Sequence, residues 1–268
     1  MEATNARLLD YRAHGGVAVI TLDNPPMNCF TFEMMHELDE AILRARFDDE
    51  VHVIVLRGAG DRTFCAGADA RLLQAVTPAF KFNFSLHANE TLSRLEQTPK
   101  LVIAALNGHA VGGGLEIALA ADLRVARKGA GKLGLPQVAV GTLPGTGGTQ
   151  RLPRLIGQGR AIEVMVTGGL MGFEEAHRLG IVNEVWEAAS PEEFMEKVLA
   201  YAGGFCPPHK AAKAVGRIKR AVRAGSGATL ETGLALEREL QQQLYESEDA
   251  KEGLSAYVAK RKPRFTGR

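Results

Sequence analysis

The chain has 268 residues, 46% of them hydrophobic and 24% charged, which excludes a disordered, collagen-like or coiled-coil protein. Lys and Arg number 32 against 31 Asp and Glu, a formal net charge of +1, so no global field favours nucleic acid or an anionic membrane. No apolar run approaches the roughly 18 residues of a transmembrane helix, and the first residues show no basic stretch leading into an apolar one, so no secretory signal is expected. Three scattered cysteines, Cys29, Cys65 and Cys206, do not make a disulfide framework; a reducing, cytoplasmic setting is expected.

Taken in chain order, alternation at 8–11 and 17–22 predicts a β-hairpin turning at Gly15-Gly16. Asn24-Pro25-Pro26 ends its second strand. Thr31 is placed to cap a helix in which Phe32, Met35, Leu38, Ile42 and Ala45 recur at helical spacing. A buried strand is expected at 51–57, a helix at 84–97, a strand at 101–106, a helix at 115–121 and a strand at 123–126. Strands alternating with helices favour crossover connections and a mainly parallel core. Beyond residue 150, helical segments near 159–167, 173–179, 192–203, 209–224, 229–246 and 249–261 are interrupted by one strand at 181–186. The turn from Gly203-Gly204 to Pro207-Pro208 divides a β/α core, 1–204, from a helical region, 205–268.

Several chemistries lack their residues. Gly58-Ala59-Gly60 follows a strand, but position 63 is Thr, so a dinucleotide fingerprint lacks its third glycine and a plain turn is the better reading. There is no GxxxxGK[ST] loop, no GxSxG elbow, and no HxxxH pair or Cys/His cluster at ligand spacing; neither a serine hydrolase nor a metal site is expected. Cys65 reads as a small buried hydrophobe. The run Lys210, Lys213, Arg217, Lys219, Arg220 and Arg223 reads as a solvated or phosphate-facing helix; without interleaved aromatic residues it makes a poor RNA platform.

Two segments expose their backbone. Phe64-Cys65-Ala66-Gly67-Ala68-Asp69 follows the strand at 51–57, and Asn107-Gly108-His109-Ala110-Val111-Gly112-Gly113-Gly114-Leu115-Glu116 joins the strand at 101–106 to a helix. Three glycines at a helix start let a ligand approach the main chain, where the first-turn N–H groups are unpaired and sit at the positive end of the dipole. Such a site suits an anion, including one that forms only during a reaction. A glycine-rich turn that merely allows close helix–strand packing explains the second segment alone; both segments together, with Glu116 just after the glycines, shift the balance towards chemistry.

The stretches FCAGAD at 64–69, NGHAVGGGLEIALAADLRVA at 107–126 and VGTLPGTGGTQRLPRLIG at 140–157, with the ending LSAYVAKRKPRF at 254–265, resemble the enoyl-CoA hydratase/isomerase (crotonase) superfamily over nearly the whole chain. The resemblance implies an α/β fold, a spiral of repeated ββα turns with a C-terminal helical trimerisation region, assembled as a homotrimer or homohexamer. It implies an acyl-CoA thioester substrate, with coenzyme A as part of the substrate and no separate cofactor. The thioester oxygen is expected between the N–H groups of Ala68 and Gly113, with Glu116 as acid/base. Ala66, Asp69, Ala70, Arg71 and the Asn28 region are expected to line the coenzyme A, and Tyr257 and Lys260 to reach the coenzyme A of a neighbouring subunit. Leu234, Leu236, Leu240 and Leu244 are expected between subunits.

One position departs from the pattern. Hydratases of the superfamily carry a second Glu after a Gly-x-Pro-like stretch, where Leu133-Gly134-Leu135-Pro136 is here followed by Gln137. Isomerases commonly keep that second Glu and lack the first, the opposite of this chain. An Asp that some members place after residue 140 is replaced by Thr142 and Leu143. Gln can hold water or a substrate group but exchanges no proton near pH 7. The leading expectation is an enoyl-CoA hydratase working through Glu116, with Gln137 positioning water. The alternatives are another enolate-forming reaction, such as double-bond isomerisation or decarboxylation, or a non-enzymatic or RNA-binding relative. Segment 72–95, with Leu72, Leu73, Val76, Phe80, Phe82, Phe84 and Leu86, is expected to wall the acyl chain.

Overall fold

Apolar runs with both faces buried become the central strands of the molecule, described here from a computed structural model over residues 7–268. In chain order the structure begins with β1 (Leu9–His14), β2 (Val17–Leu22), α1 (Phe32–Phe47), β3 (Val53–Gly58), β4 (Thr63–Cys65), α2 (Ala70–Ala75) and α3 (Pro78–Gln97). It continues through β5 (Leu101–Leu106), β6 (His109–Val111), α4 (Gly113–Ala120), β7 (Leu123–Arg127), β8 (Lys132–Gly134) and a 3-10 turn at Pro136–Val140. The last part holds α5 (Gly148–Ile156), α6 (Gln158–Thr167), β9 (Met171–Gly172), α7 (Phe173–Arg178), β10 (Glu184–Trp186), α8 (Pro191–Gly203), α9 (Ala212–Gly225), α10 (Leu230–Tyr245) and α11 (Glu248–Val258).

The hairpin forms as read, with Leu9 opposite Leu22 and His14 opposite Val17. From β2 onward the first sheet, ordered β1-β2-β3-β5-β7-β10, is parallel. A second sheet, ordered β4-β6-β8-β9, collects the three-residue strands that follow β3, β5 and β7. Each turn of the chain thus gives a long strand to one sheet and a short strand to the other before a helix or helical turn, the ββα spiral expected from the resemblance. The short strands escape sequence reading because three residues hold barely one period of alternation.

Period-two alternation sorts the parallel strands between two cores. Ile54, Leu56, Val102, Ala104 and Leu106 pack inward with α1, α3 and α4, whereas Val53, Val55, Ile103 and Ala105 meet Phe194, Met195, Val198 and Ala202 of α8. Thr31 caps α1 through the Met34 N–H, as its position implied. The helix expected at 84–97 starts earlier, at Pro78, because the Thr77 hydroxyl accepts from the Phe80 N–H and Pro sits at the first helical position.

The basic run read as a solvated face is one only in part, and two of its residues turn inward. Lys219 is 7% exposed and its Nζ lies 2.8 Å from Asp122; Arg223 pairs with Asp122 at 3.0 Å and Glu96 at 2.9 Å. Gly216 lets this helix press against the Pro99 carbonyl. Lys219 and Arg223 therefore face the core, while Lys210, Lys213 and Arg220 stay exposed, as do Ile218 and Val222. Leu240 is buried within the chain itself, while Leu234 remains exposed.

Candidate active site

Helix α4 is buried on every side, and its glycines set how closely it packs. A Cβ at Gly114 would overlap the Cys65 carbonyl oxygen, and one at Gly113 would fall 2.5 Å from the Phe30 ring. Gly112 adopts φ 57°, which turns the chain from β6 into the helix and leaves Gly113 as its first residue. The Gly113 N–H therefore has no intrahelical acceptor.

A second unpaired donor lies opposite. The Phe30 N–H donates to the Gly67 carbonyl at 2.9 Å, and the Asp69 N–H donates to the Phe30 carbonyl at 3.1 Å. This bridge straddles Ala68, whose own N–H meets no acceptor among the described residues. Gly67, at φ 96°, brings the two segments together, its Cα 3.5 Å from where a Gly113 Cβ would stand.

Glu116 rises from the first turn of α4, 1% exposed. The loop before α5 turns two N–H groups, Thr146 and Gly148, onto its Oε1, each at 2.7 Å. Its Oε2 accepts from Gln137 Nε2 at 3.2 Å, and Gln137 Oε1 is buried without a partner. Burial pushes the Glu116 carboxyl above the usual carboxylate range, while the Gly148 and Thr146 N–H groups and the charges of Arg151 and Lys81 pull it partly back. Two free donors stand beside a carboxylate with one committed and one available oxygen. The arrangement can hold a developing oxyanion and move a proton next to it.

The sequence model of the enoyl-CoA hydratase/isomerase family matches residues 12–268. The chain belongs to the enoyl-CoA hydratase/isomerase family. It is 37% identical to a short-chain-enoyl-CoA hydratase of Clostridium acetobutylicum, covering 98% of this chain and 97% of that protein. It is 38% identical to an (E)-benzylidenesuccinyl-CoA hydratase of Thauera aromatica, covering 94% and 96%. A solved enoyl-CoA hydratase structure from Geobacillus kaustophilus superimposes with a TM-score of 0.94 at 42% identity, over 99% of this chain and 98% of that one.

For an enoyl-CoA hydratase/isomerase chain, the residues singled out from sequence divide into those the fold gathers and those it uses elsewhere. Glu116, Gln137, Gly113 and Ala68 converge. Ala66 lies on the same strand end, its N–H donating to the Met27 carbonyl at 3.1 Å. Ala70 and Arg71 are exposed on the first turn of α2, and Asp69 caps that helix, its Oδ1 accepting from Arg71 and Leu72 N–H groups at 2.7 and 3.0 Å. The Asn28 side chain is fully occupied: Nδ2 donates to the Ala59 and Thr63 carbonyls, and Oδ1 accepts from the Asn24 N–H. Asn28 holds a turn and offers no side-chain group to coenzyme A. Tyr257 and Lys260 are exposed at the end of α11, which packs on α10.

Segment 72–95, expected to wall the acyl chain, divides between buried and exposed residues. Phe84 is buried against Phe30 and Phe32, and the groups of α3 that approach the Glu116 loop are Lys81, Ser85 and Asn89. Sequence reading missed Lys81, Thr146 and Gly148. The last two act through backbone N–H groups, so only the glycine density around 144–148 marks them. Cys65 is buried, its thiol pushed up to about 12 by burial, which fits its packing role. Among the described residues no group of three or more His, Cys, Asp or Glu side chains could hold a metal, and no helix is long and apolar enough to cross a membrane.

Proposed function

We propose that the chain hydrates 2-enoyl-CoA thioesters with Glu116 as its single acid/base. The observation that carries the reading is the Glu116 Oε2, buried, held by one amide hydrogen and set beside two unpaired N–H donors. The Ala68 and Gly113 N–H groups bind the thioester oxygen. A water donates one hydrogen to Glu116 Oε2 and the other to Gln137 Oε1. Its oxygen attacks C3, the π pair moves to C2 and the thioester oxygen, and Glu116 takes the proton. Glu116 then returns that proton to C2 on the same face. Atoms and charge balance with protein groups and water alone. Each oxyanion donor contributes about 2.7–4 kcal/mol to the transition state in the best-measured comparable site.

A carboxylate ionised at rest is needed to take the proton, and the upward shift from burial makes Glu116 a stronger base for that step. Ala66, Ala70 and Arg71 remain the residues proposed to border coenzyme A, with Tyr257 and Lys260 acting across a subunit boundary. Exposed Ile218, Val222, Leu230, Tyr257 and Val258 support residues 205–268 as the oligomerisation region of a trimer or hexamer. A cytoplasmic setting completes the proposal. The test is loss of the conjugated-thioester absorbance of crotonyl-CoA. Hydration by the unmodified protein that disappears in Glu116→Gln supports the reading; hydration that survives Glu116→Gln overturns it. Sedimentation as a stable monomer would contradict the assembly.

A further inference from the structure

Lys81 has no assigned part in the hydration just described, yet it stands at the same loop. Its Nζ donates to Ser85 Oγ at 2.6 Å and lies 5.8 Å from the Phe84 ring centre. Phe84 meets Phe30 edge-on at 5.9 Å, and the Phe30 ring abuts Gly113. On the other side, a Cβ at Gly145 would fall 4.0 Å from Nζ, one residue before the Thr146 N–H that holds Glu116. The ammonium therefore sits between the oxyanion donors and the Glu116 loop, on the wall the acyl chain would pass.

This lysine is half-buried, and among the described residues no carboxylate lies within 4.0 Å of it. An ammonium has three hydrogens to donate, and among the described residues only Ser85 takes one. The other enclosed lysines are provided for: Lys219 has Asp122 at 2.8 Å, and Lys100 donates to the Ala45 and Asp48 carbonyls. Burial lowers the Lys81 pKa, and the Glu116 charge raises it in part. Glu116 is not its ion-pair partner, because Oε1 is filled by two N–H groups and Oε2 faces Gln137. Gln137 is itself neutral and Arg151 is already paired with Glu96 at 2.7 Å, so an added anion here meets Lys81 as the cation without an acidic partner, the Ser85 hydroxyl and the Glu116 carboxylate.

We propose that Lys81 and Ser85 form a subsite for a carboxylate carried on the acyl chain of the substrate. The phosphates of coenzyme A lie at the other end of the pantetheine arm from the thioester, whereas Lys81 lies beside the groups that act on C2 and C3. The inference rests on the acyl-CoA reading above.

It is tested with two unreactive thioesters of equal chain length, glutaryl-CoA and valeryl-CoA, which differ in a terminal carboxylate against a methyl. Calorimetric titration of the unmodified protein should show glutaryl-CoA binding at least about tenfold tighter. In Lys81→Met that ratio should fall to about one, in Lys81→Arg it should persist, and in Ser85→Ala it should shrink several-fold. A matching change in kcat/KM for glutaconyl-CoA against pent-2-enoyl-CoA should follow. Equal affinity for the two thioesters in the unmodified protein overturns the subsite and leaves the hydratase reading standing. So does a ratio unaltered by Lys81→Met in a protein of unchanged melting temperature. Binding of neither thioester overturns both.

Discussion

Two acids six positions apart mark the two ends of α4, buried Glu116 in its first turn and partly buried Asp122 just past its last residue, with opposite surroundings. At the C-terminal end cations answer both the acid and the terminal carbonyl. Asp122 accepts from Lys219, Arg223 and the Val102 N–H, and the Ala121 carbonyl accepts from Arg124 at 2.8 Å and Arg223 at 3.0 Å. Cations at a helix C-terminus are also favoured by its dipole. At the N-terminal end, among the described residues, the Gly113 N–H and the Gln137 Oε1 are left open, Glu116 Oε2 accepts a single amide hydrogen, and no cation lies within 4.0 Å of Glu116. Saturated polar groups hold the C-terminal helices to the core. Unsaturated ones wait for a ligand to complete them.

Removing each acid's charge should therefore have opposite consequences. Glu116→Gln should lower kcat/KM for crotonyl-CoA by at least about 10³-fold, because the proton carrier is lost. It should also hold or raise the melting temperature near pH 7. A carboxyl whose pKa is higher folded than unfolded binds its proton more tightly in the folded chain. The stability it contributes is complete below the unfolded value and is lost as pH rises through the folded one. At neutral pH the ionised Glu116 is thus a burden that glutamine removes. A lower melting temperature in Glu116→Gln, measured from pH 4 to 8, would erase the contrast between the helix ends.

The oxyanion donor at the same end calls for a paired substitution. Gly113→Ala and Gly113→Pro both push a Cβ at the Phe30 ring, but only proline removes the N–H, and proline is tolerated at a first helical position. The ratio of their kcat/KM values isolates the hydrogen bond, and about 10²–10³ in favour of alanine is expected. A ratio near one would remove Gly113 from the oxyanion pair.

At the other end, Lys219→Met leaves Asp122 enclosed with Arg223 as its remaining cation. Denaturant unfolding should report a loss of about 3 kcal/mol, with kcat/KM per folded molecule little altered. Adding Asp122→Asn should recover part of that loss, since the cost is mainly the unpaired charge. A large fall in kcat with unchanged stability would mean that the network reaches the site.

Residues differ in how much of their role the sequence displays. The strands Val53–Gly58 and Leu101–Leu106 show themselves as β-branched and apolar runs, and Glu116 shows itself through the glycines before it. The sheet of three-residue strands is specified by pairing across the fold, which no local period reports. Asn28 looks like a ligand contact in a string of letters, yet backbone groups absorb its side chain, and Asp69 commits one carboxylate oxygen to capping α2. Helix α9 misleads through its charges: Lys219 and Arg223 appear as a solvent face because their acids, Asp122 and Glu96, come from distant segments. Lys81 is silent for the same reason, since its significance lies in a loop more than sixty residues away.

The smallest expected effect concerns Gln137. Gln137→Glu places a second carboxyl against Glu116 Oε2, where an amide N–H now stands at 3.2 Å. Two carboxyls that close do not both ionise, so one shares a proton with the other and an apparent pKa of the pair rises. The shared proton replaces the amide hydrogen on Oε2, and the new acid adds a donor near C2. Hydration of crotonyl-CoA should therefore be retained or raised, within about tenfold, with the acidic limb of the kcat/KM profile moved upward because the base must lose its proton at higher pH. On an acyl chain that bears its own carboxylate the substitution should instead be harmful, since that second negative charge beside the proton-sharing pair pushes its apparent pKa higher still and leaves less of the base ionised. A profile without an upward shift would show that residue 137 does not share the Glu116 proton. A loss beyond about a hundredfold on crotonyl-CoA would show that the amide itself, donating to Glu116 while accepting from water, is what one-carboxylate hydration requires.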